Sequence, residues 1–192
     1  LSQVWSEPTA RRFTIFVFVS MLAYSSQDLI LEPFAGSVFG YTPGESTQLS
    51  GVQHAGVLLG MVLVALAGSG VAGRLMPRRT ASAENASGAA TNRLASLRAW
   101  TVGGCIASAL ALIGLAAAGL TGGAWPFKAT VFLLGAANGA FSIAAIGSMM
   151  SLASQGRESR EGVRMGLWGA AQAVAFGLGG LDGTGASDLA RW

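Results

Sequence analysis

Residues 13–40 read FTIFVFVSMLAYSSQDLILEPFAGSVFG, an apolar run whose only charged side chains are Asp28 and Glu32. An α-helix needs about 20 predominantly apolar residues to cross a hydrocarbon core of about 30 Å, whereas a membrane β-strand would be about 10 residues of alternating polarity. This stretch is long and apolar on nearly every face, so it reads as a transmembrane helix. Residues 48–73, 97–120, 126–153 and 163–181 repeat the pattern. The expected fold class is therefore all-α, a polytopic membrane helix bundle of five spans. Residues 1–12 form a connector entering from the cytoplasm, and residues 13–192 form the bundle, with a mobile loop at 74–96.

Composition agrees. The chain is 52% hydrophobic and 11% charged, with 28 glycines in 192 residues, against about 25% charged residues in an ordinary soluble domain. The net charge of +3 and the pI near 9.8 do not indicate nucleic acid, because the basic residues sit at segment ends instead of lining one face. With Cys105 as the one cysteine, no internal disulfide forms. Residues 1–8 read as a connector, not a signal peptide, and residues 181–192 turn polar as a loop leading to another span would. The chain is expected to be an internal piece with sequence missing at both ends.

Basic residues set the expected orientation. Arg11 and Arg12 precede the first span, Arg74, Arg78, Arg79, Arg93 and Arg98 lie between the second and third, and Arg157, Arg160 and Arg164 lie between the fourth and fifth. Only Lys128 and Arg191 fall on the other side. The first span thus enters from the cytoplasm, and Trp100 and Trp125, near opposite ends of the third, suit interfacial belts.

The connections differ. Tyr41-Thr42-Pro43-Gly44-Glu45 has Pro and Gly at the centre of a type II turn, followed by Ser46 or Thr47 as N-cap, making the first two spans antiparallel neighbours. Residues 80–92 are too polar and low in complexity to pack a core. Small residues recur at packing distance: Gly56 with Gly60, Gly135 with Gly139, Gly166 with Ala170, and Ala173 with Gly177. Such pairs let helix backbones approach closely in lipid, through ordinary internal packing or against a partner helix. The third span offers only Cys105 and Ser108 as interior polar groups. It is expected at the periphery, and the other four around a shared interior.

Residues three and four apart share a helix face, so Tyr24, Ser25, Asp28 and Glu32 form one stripe, bordered by Gln27. An ionised carboxylate at a span's centre costs about 2.5 to 3.5 kcal/mol, and two at i,i+4 repel each other. Pro33 removes a helical donor and crowds the Leu29 carbonyl, predicting a kink or break near Leu29, or an end of the span at Pro33. Asp28 lies about 22 Å along a straight helix from Phe13, which places it in the non-cytoplasmic half with Gln53 and His54 of the second span. His54 has three readings: a hydrogen-bonded packing residue, a proton relay with Asp28 or Glu32, or a neutral ligand to a metal such as chlorin magnesium. Asn138 with Ser142, and Gln172 between Trp168 and Phe176, read as groups that contact a large planar ligand or pair across helices, the pairing being favoured. No catalytic triad, metal cluster or phosphate-binding loop stands out, so no enzyme activity is expected.

The run Ala23-Tyr24-Ser25-Ser26-Gln27-Asp28-Leu29-Ile30-Leu31-Glu32-Pro33-Phe34-Ala35-Gly36, with Thr42-Pro43-Gly44 and Leu49-Ser50-Gly51-Val52-Gln53-His54, resembles the PucC/LhaA family. So does Arg164-Met165-Gly166-Leu167-Trp168-Gly169-Ala170-Ala171-Gln172-Ala173. The resemblance implies a twelve-span, major facilitator-like protein of the inner (intracytoplasmic photosynthetic) membrane. In that frame the chain is a C-terminal half carrying spans seven to eleven without the twelfth, and its third span is peripheral. The resemblance also implies a role in assembling light-harvesting antenna complexes and in handling or delivering bacteriochlorophyll. Antenna polypeptides, the reaction centre–antenna complex or pigment-synthesis enzymes are the implied partners. On this reading His54 ligates the magnesium of bacteriochlorophyll, directly or through water, and Asp28 or Glu32 is its hydrogen-bond partner; Tyr24, Gln27 and Gln53 complete the polar layer. One departure stands out: in the superfamily loop signature expected over residues 70–79, Gly70, Arg78 and Arg79 fit, but Arg74 takes the Asp position and Pro77 the second Gly. Gating through that loop is therefore not expected. The alternatives are a proton-coupled transporter using Asp28, Glu32 and His54, and a pigment-free scaffold docking antenna helices on its glycine faces.

Overall fold

Each expected span is a helix in the computed structural model, which describes residues 5–68, 86–121, 125–154 and 161–189. The helices are α1 (Pro8–Phe39), α2 (Pro43–Gly68), α3 (Ala86–Thr121), α4 (Phe127–Ser154) and α5 (Glu161–Leu189), and there is no strand among the described residues. α1, α2, α4 and the Leu97–Thr121 part of α3 are long and apolar enough to cross a membrane. α5 is helical but is not among these four; Arg164, Gln172 and its glycines dilute its apolar content. The protein is an all-helical membrane protein.

Several boundaries differ from the sequence reading. α1 starts at Pro8, inside the expected connector, because proline suits the first helical position, where its missing N–H is not needed. It then runs unbroken through Pro33 to Phe39, so neither a break at Leu29 nor an end at Pro33 occurs. It stops at Gly40, whose φ of 67° is left-handed; Gly40 N–H bonds Gly36 O at 3.1 Å and Tyr41 N–H bonds Ala35 O at 3.3 Å, the closure that glycine permits. The expected type II turn is instead the first turn of α2. Thr42, not Ser46 or Thr47, caps it: Thr42 N–H donates to Glu45 Oε2 at 2.9 Å and Glu45 N–H donates to Thr42 Oγ1 at 3.4 Å. This is a reciprocal capping box with proline at the first helical position. The sequence Ala86-Ser87-Gly88-Ala89-Ala90 carries enough alanine to extend α3 well before Leu97, into the residues first read as loop. α5 likewise continues to Leu189, into the stretch expected as a polar tail. Arg74, Pro77, Arg78 and Arg79 lie outside the described residues.

The chain divides into two compact units, Leu1–Ser46 with Met149–Trp192, and Thr47–Ser148. In the first, Glu7 meets Arg164, Phe13 meets Trp168 with ring centroids 4.9 Å apart, Met21 meets Gln172, and Ser25 meets Phe176. The numbers rise together, so α1 and α5 run parallel. Their seam is built from side chains: Trp168 is 1% exposed, and Tyr24 stands edge-on to Phe176.

In the second unit backbone meets backbone. A methyl group placed on Gly56 or Gly60 of α2 would strike the carbonyl of Phe132 or Ala136, and one on Gly135 or Gly139 of α4 would strike that of Gln53 or Val57. Both helices contribute an i,i+4 glycine pair, and the rising numbers make them parallel. α3 packs antiparallel on α4 through Gly104 against Phe141, Ser108 with Asn138, and Gly114 against Thr130. In the most apolar window of each helix, 61% of α4 is buried but only 17% of α3. That puts α3 at the edge of its unit and α4 at its centre.

Polar residues survive in these helices because their hydroxyls turn onto their own backbone. Thr14 donates to Ala10 O, Ser26 to Leu22 O, Thr101 to Leu97 O, Ser142 to Asn138 O and Ser148 to Ala144 O, each at 2.8 to 2.9 Å. Where water is absent, this satisfies the donor without a partner helix.

Candidate functional site

The residues of the expected polar layer fall in both units. Tyr24, Gln27, Asp28 and Glu32 belong to α1, and Gln53 and His54 to α2. Asp28 and Glu32 are exposed on α1, one turn apart, in the midst of an apolar helix. Tyr24, half-buried one turn earlier, rests on Phe176, while Gln27 Nε2 is buried without a hydrogen-bond partner.

On α2 the adjacent residues diverge. Gln53 is 2% exposed and its carbonyl lies against Gly135, whereas His54 is exposed. His54 Nδ1 lies 2.8 Å from the carbonyl oxygen of Ser50, one turn back. A carbonyl only accepts, so Nδ1 carries the proton and, in the neutral ring, Nε2 carries the lone pair. An N–H of one ring nitrogen held by a backbone carbonyl is the arrangement that fixes a metal-ligating tautomer. The helix supplies it unaided, because residue i−4 places its carbonyl below the ring.

Gly56, Gly60, Gly135 and Gly139 pack helix on helix within the chain. Gly166 and Gly177 of α5 have nothing within 4 Å of where a side chain would begin. Two apolar grooves among the described residues border the helices. One, of about 680 Å³, runs along α2, α3 and α4 between Trp100 and Trp125; the other, of about 370 Å³, follows α1 and α5 past Trp5, Phe18 and Leu167. None of Asp28, Glu32 and His54 lines either one.

Sequence reasoning missed Arg164. Counted as one of the basic residues marking a cytoplasmic end, it is in fact 6% exposed and paired with Glu7. Its place one residue inside the expected fifth span was the available signal.

The fold and its polar residues thus define a polytopic α-helical membrane protein with ionisable groups inside its apolar helices. The family model for PUCC protein matches residues 1–192, and the chain belongs to that family. A Rhodobacter capsulatus protein named "Bacteriochlorophyll synthase 44.5 kDa chain" is 52% identical over 191 residues, covering 100% of this chain and 40% of that protein. An "Uncharacterized protein in puhA-bchM intergenic region" of Rhodobacter capsulatus is 30% identical, covering 96% of this chain and 33% of the relative. "Protein PucC" of Rhodobacter capsulatus is 28% identical, covering 85% and 30%. The chain therefore spans two-fifths or less of the length of these curated relatives. No solved structure matches.

Proposed function

We propose that the chain is part of a non-enzymatic assembly factor for photosynthetic light-harvesting complexes, which receives bacteriochlorophyll and helps antenna polypeptides acquire it. Its place is the bacterial inner (intracytoplasmic) membrane, with the basic loops cytoplasmic. Family membership supports the involvement in photosynthetic complexes. The observation that carries the pigment assignment is His54, exposed on an apolar helix with Nδ1–H committed to Ser50 O. When bound, the chlorin supplies a magnesium ion with Lewis-acid character. His54 Nε2 is its proposed ligand, and the Ser50 carbonyl holds the ring and its tautomer. Asp28 and Glu32, with Tyr24 and Gln27, are proposed as a separate set of hydrogen-bonding groups on α1 for polar substituents of pigment or polypeptide.

The test is the visible and near-infrared absorbance of the full-length protein purified in mild detergent, read with the identity of its co-purifying polypeptides. Pigment and antenna subunits are expected together. His54→Ala should lower pigment occupancy at least about 10-fold, the scale of lost metal-site interactions, while the polypeptides remain. Undiminished pigment in that variant removes His54 from the site. Wild-type protein with neither pigment nor antenna polypeptides removes the function itself.

A further inference from the structure

Three segments meet on Arg164. Its Nη2 donates to Glu7 Oε2, in the turn ahead of α1, and its Nη1 donates to the carbonyl of Ala153, near the end of α4, at 3.4 Å. Its Nε is buried without an acceptor, as is Nε1 of Trp168 one turn further along α5. A desolvated guanidinium is well tolerated only when its pairing is complete. Here two neighbouring donors are left over, so the arrangement carries a penalty that a fully satisfied staple lacks. Glu7 is less committed. Its side chain is 35% exposed, and although it sits at the N-cap of α1 it makes no capping hydrogen bond. The free N–H groups and positive end of α1 therefore compete with Arg164 for the same carboxylate.

We propose that Glu7 and Arg164 form a conformational latch between the start of α1 and the start of α5. In the closed state, the one described here, Glu7 neutralises Arg164. In the open state Glu7 turns to the N-terminus of α1 or to water. Arg164, now a buried charge with one long bond to a carbonyl, follows it outward toward Glu161, exposed one turn earlier on α5. The first turns then part where Phe13 rests on Trp168, and the groove lined by Trp5, Thr14 and Leu167 widens. Arg11 and Arg12 are exposed on α1, and the competing counter-charge on α5 is Glu161.

Ala153 is 6% exposed and touches the latch, so it is the reporter position. In the full-length protein in native membranes, with Cys105 and every cysteine outside these 192 residues replaced by serine as background, Ala153→Cys is labelled with a water-soluble maleimide. The closed latch should label slowly. Glu7→Gln should accelerate labelling at least 10-fold, and the exchange Glu7→Arg with Arg164→Glu should return it to within about 2-fold of the starting rate. Should Glu7→Gln fail to accumulate, Glu7→Asp, charged but one methylene shorter, should give an intermediate rate. Labelling at the starting rate in either Glu7 variant overturns the latch. So does an exchange variant that elutes as folded protein yet labels as fast as Glu7→Gln.

Discussion

Two parallel helix pairs in this protein are held together in opposite ways. α2 and α4 touch backbone to backbone, each lending glycines four residues apart, so that every one of the four faces a carbonyl of the other helix. α1 and α5 touch through side chains: an ion pair, Phe13 on Trp168, Tyr24 on Phe176, and Gln172 Nε2 donating to Met21 Sδ at 3.6 Å. α5 has small residues at the same spacing, but Gly166 and Gly177 face open space. A small-residue pair therefore makes a close seam only where its face meets another helix. In lipid, where apolar burial gives no drive between helices, this fit decides the geometry.

Replacing glycine by alanine breaks the comparison most sharply, because the sign depends on the seam. Alanine in a helix is ordinarily favoured over glycine by about 1 kcal/mol. At Gly139 the new methyl would collide with the Val57 carbonyl, whose position is fixed by its own helix. Overpacking of about 1–3 kcal/mol or more should exceed the propensity gain, and the full-length protein in detergent should melt lower. Gly166→Ala meets nothing within 4 Å and should melt at the same temperature or higher. If both variants melt alike, the close seam does not hold α2 on α4.

Among the described residues, the close glycine approach on the other seam is Gly179. A methyl there would stand 2.7 Å from Ser25 Cβ and 3.0 Å from Leu22 O. The nearest atom, Ser25 Cβ, is held by its own helix, but the overlap is smaller than that with the Val57 carbonyl at Gly139, so a smaller shift of the helices relieves it. Gly179→Ala should therefore cost less than Gly139→Ala, about 1 kcal/mol net after the propensity gain is subtracted from mild overpacking. A loss in thermal unfolding as large as at Gly139 would mean that the α1–α5 seam is as rigid as the glycine seam.

This contrast also explains what was legible in the sequence. The helices and their order followed from apolar length alone, and the Gly56/Gly60 and Gly135/Gly139 pairs followed from spacing, because both are properties of a single segment. Which pair would find a partner was not legible, since that needs the facing helix: Gly166/Ala170 looked equal to Gly56/Gly60. Local chemistry misled at Thr42-Pro43-Gly44-Glu45, where the same residues satisfy a turn and a capping box, and the box uses more of their donors. Pro33 reads as a kink, a break or an end of α1, and the helix runs on to Phe39 without the break or the end. The anchoring of His54 on Ser50 O was implicit, because any histidine on a helix has a carbonyl four residues back. Its exposure was not, since an apolar pattern on nearly every face leaves the outward face undefined.

The smallest expected effect tests whether side-chain hydrogen bonds hold the peripheral helix as weakly as its exposure implies. Ser108 Oγ of α3 donates to Asn138 Oδ1 of α4 at 2.7 Å, while Asn138 Nδ2 is buried without an acceptor. Turning the amide over would let Nδ2 donate to the serine hydroxyl, which then donates to its own helix backbone, as Thr101 and Ser142 do. Either orientation leaves Ser108 as the amide's partner, so Ser108→Ala strands the amide in a dry interface. Bonds of this kind average about 0.6 kcal/mol in membrane proteins, so a loss of that order in the unfolding free energy is expected. Adding Asn138→Leu should restore stability, because an apolar pair of similar size has nothing to leave unsatisfied. If Ser108→Ala is neutral by itself, α3 is held by the fit of Gly104 against Phe141 and of Gly114 against Thr130, and the polar pair contributes nothing to the edge of the unit.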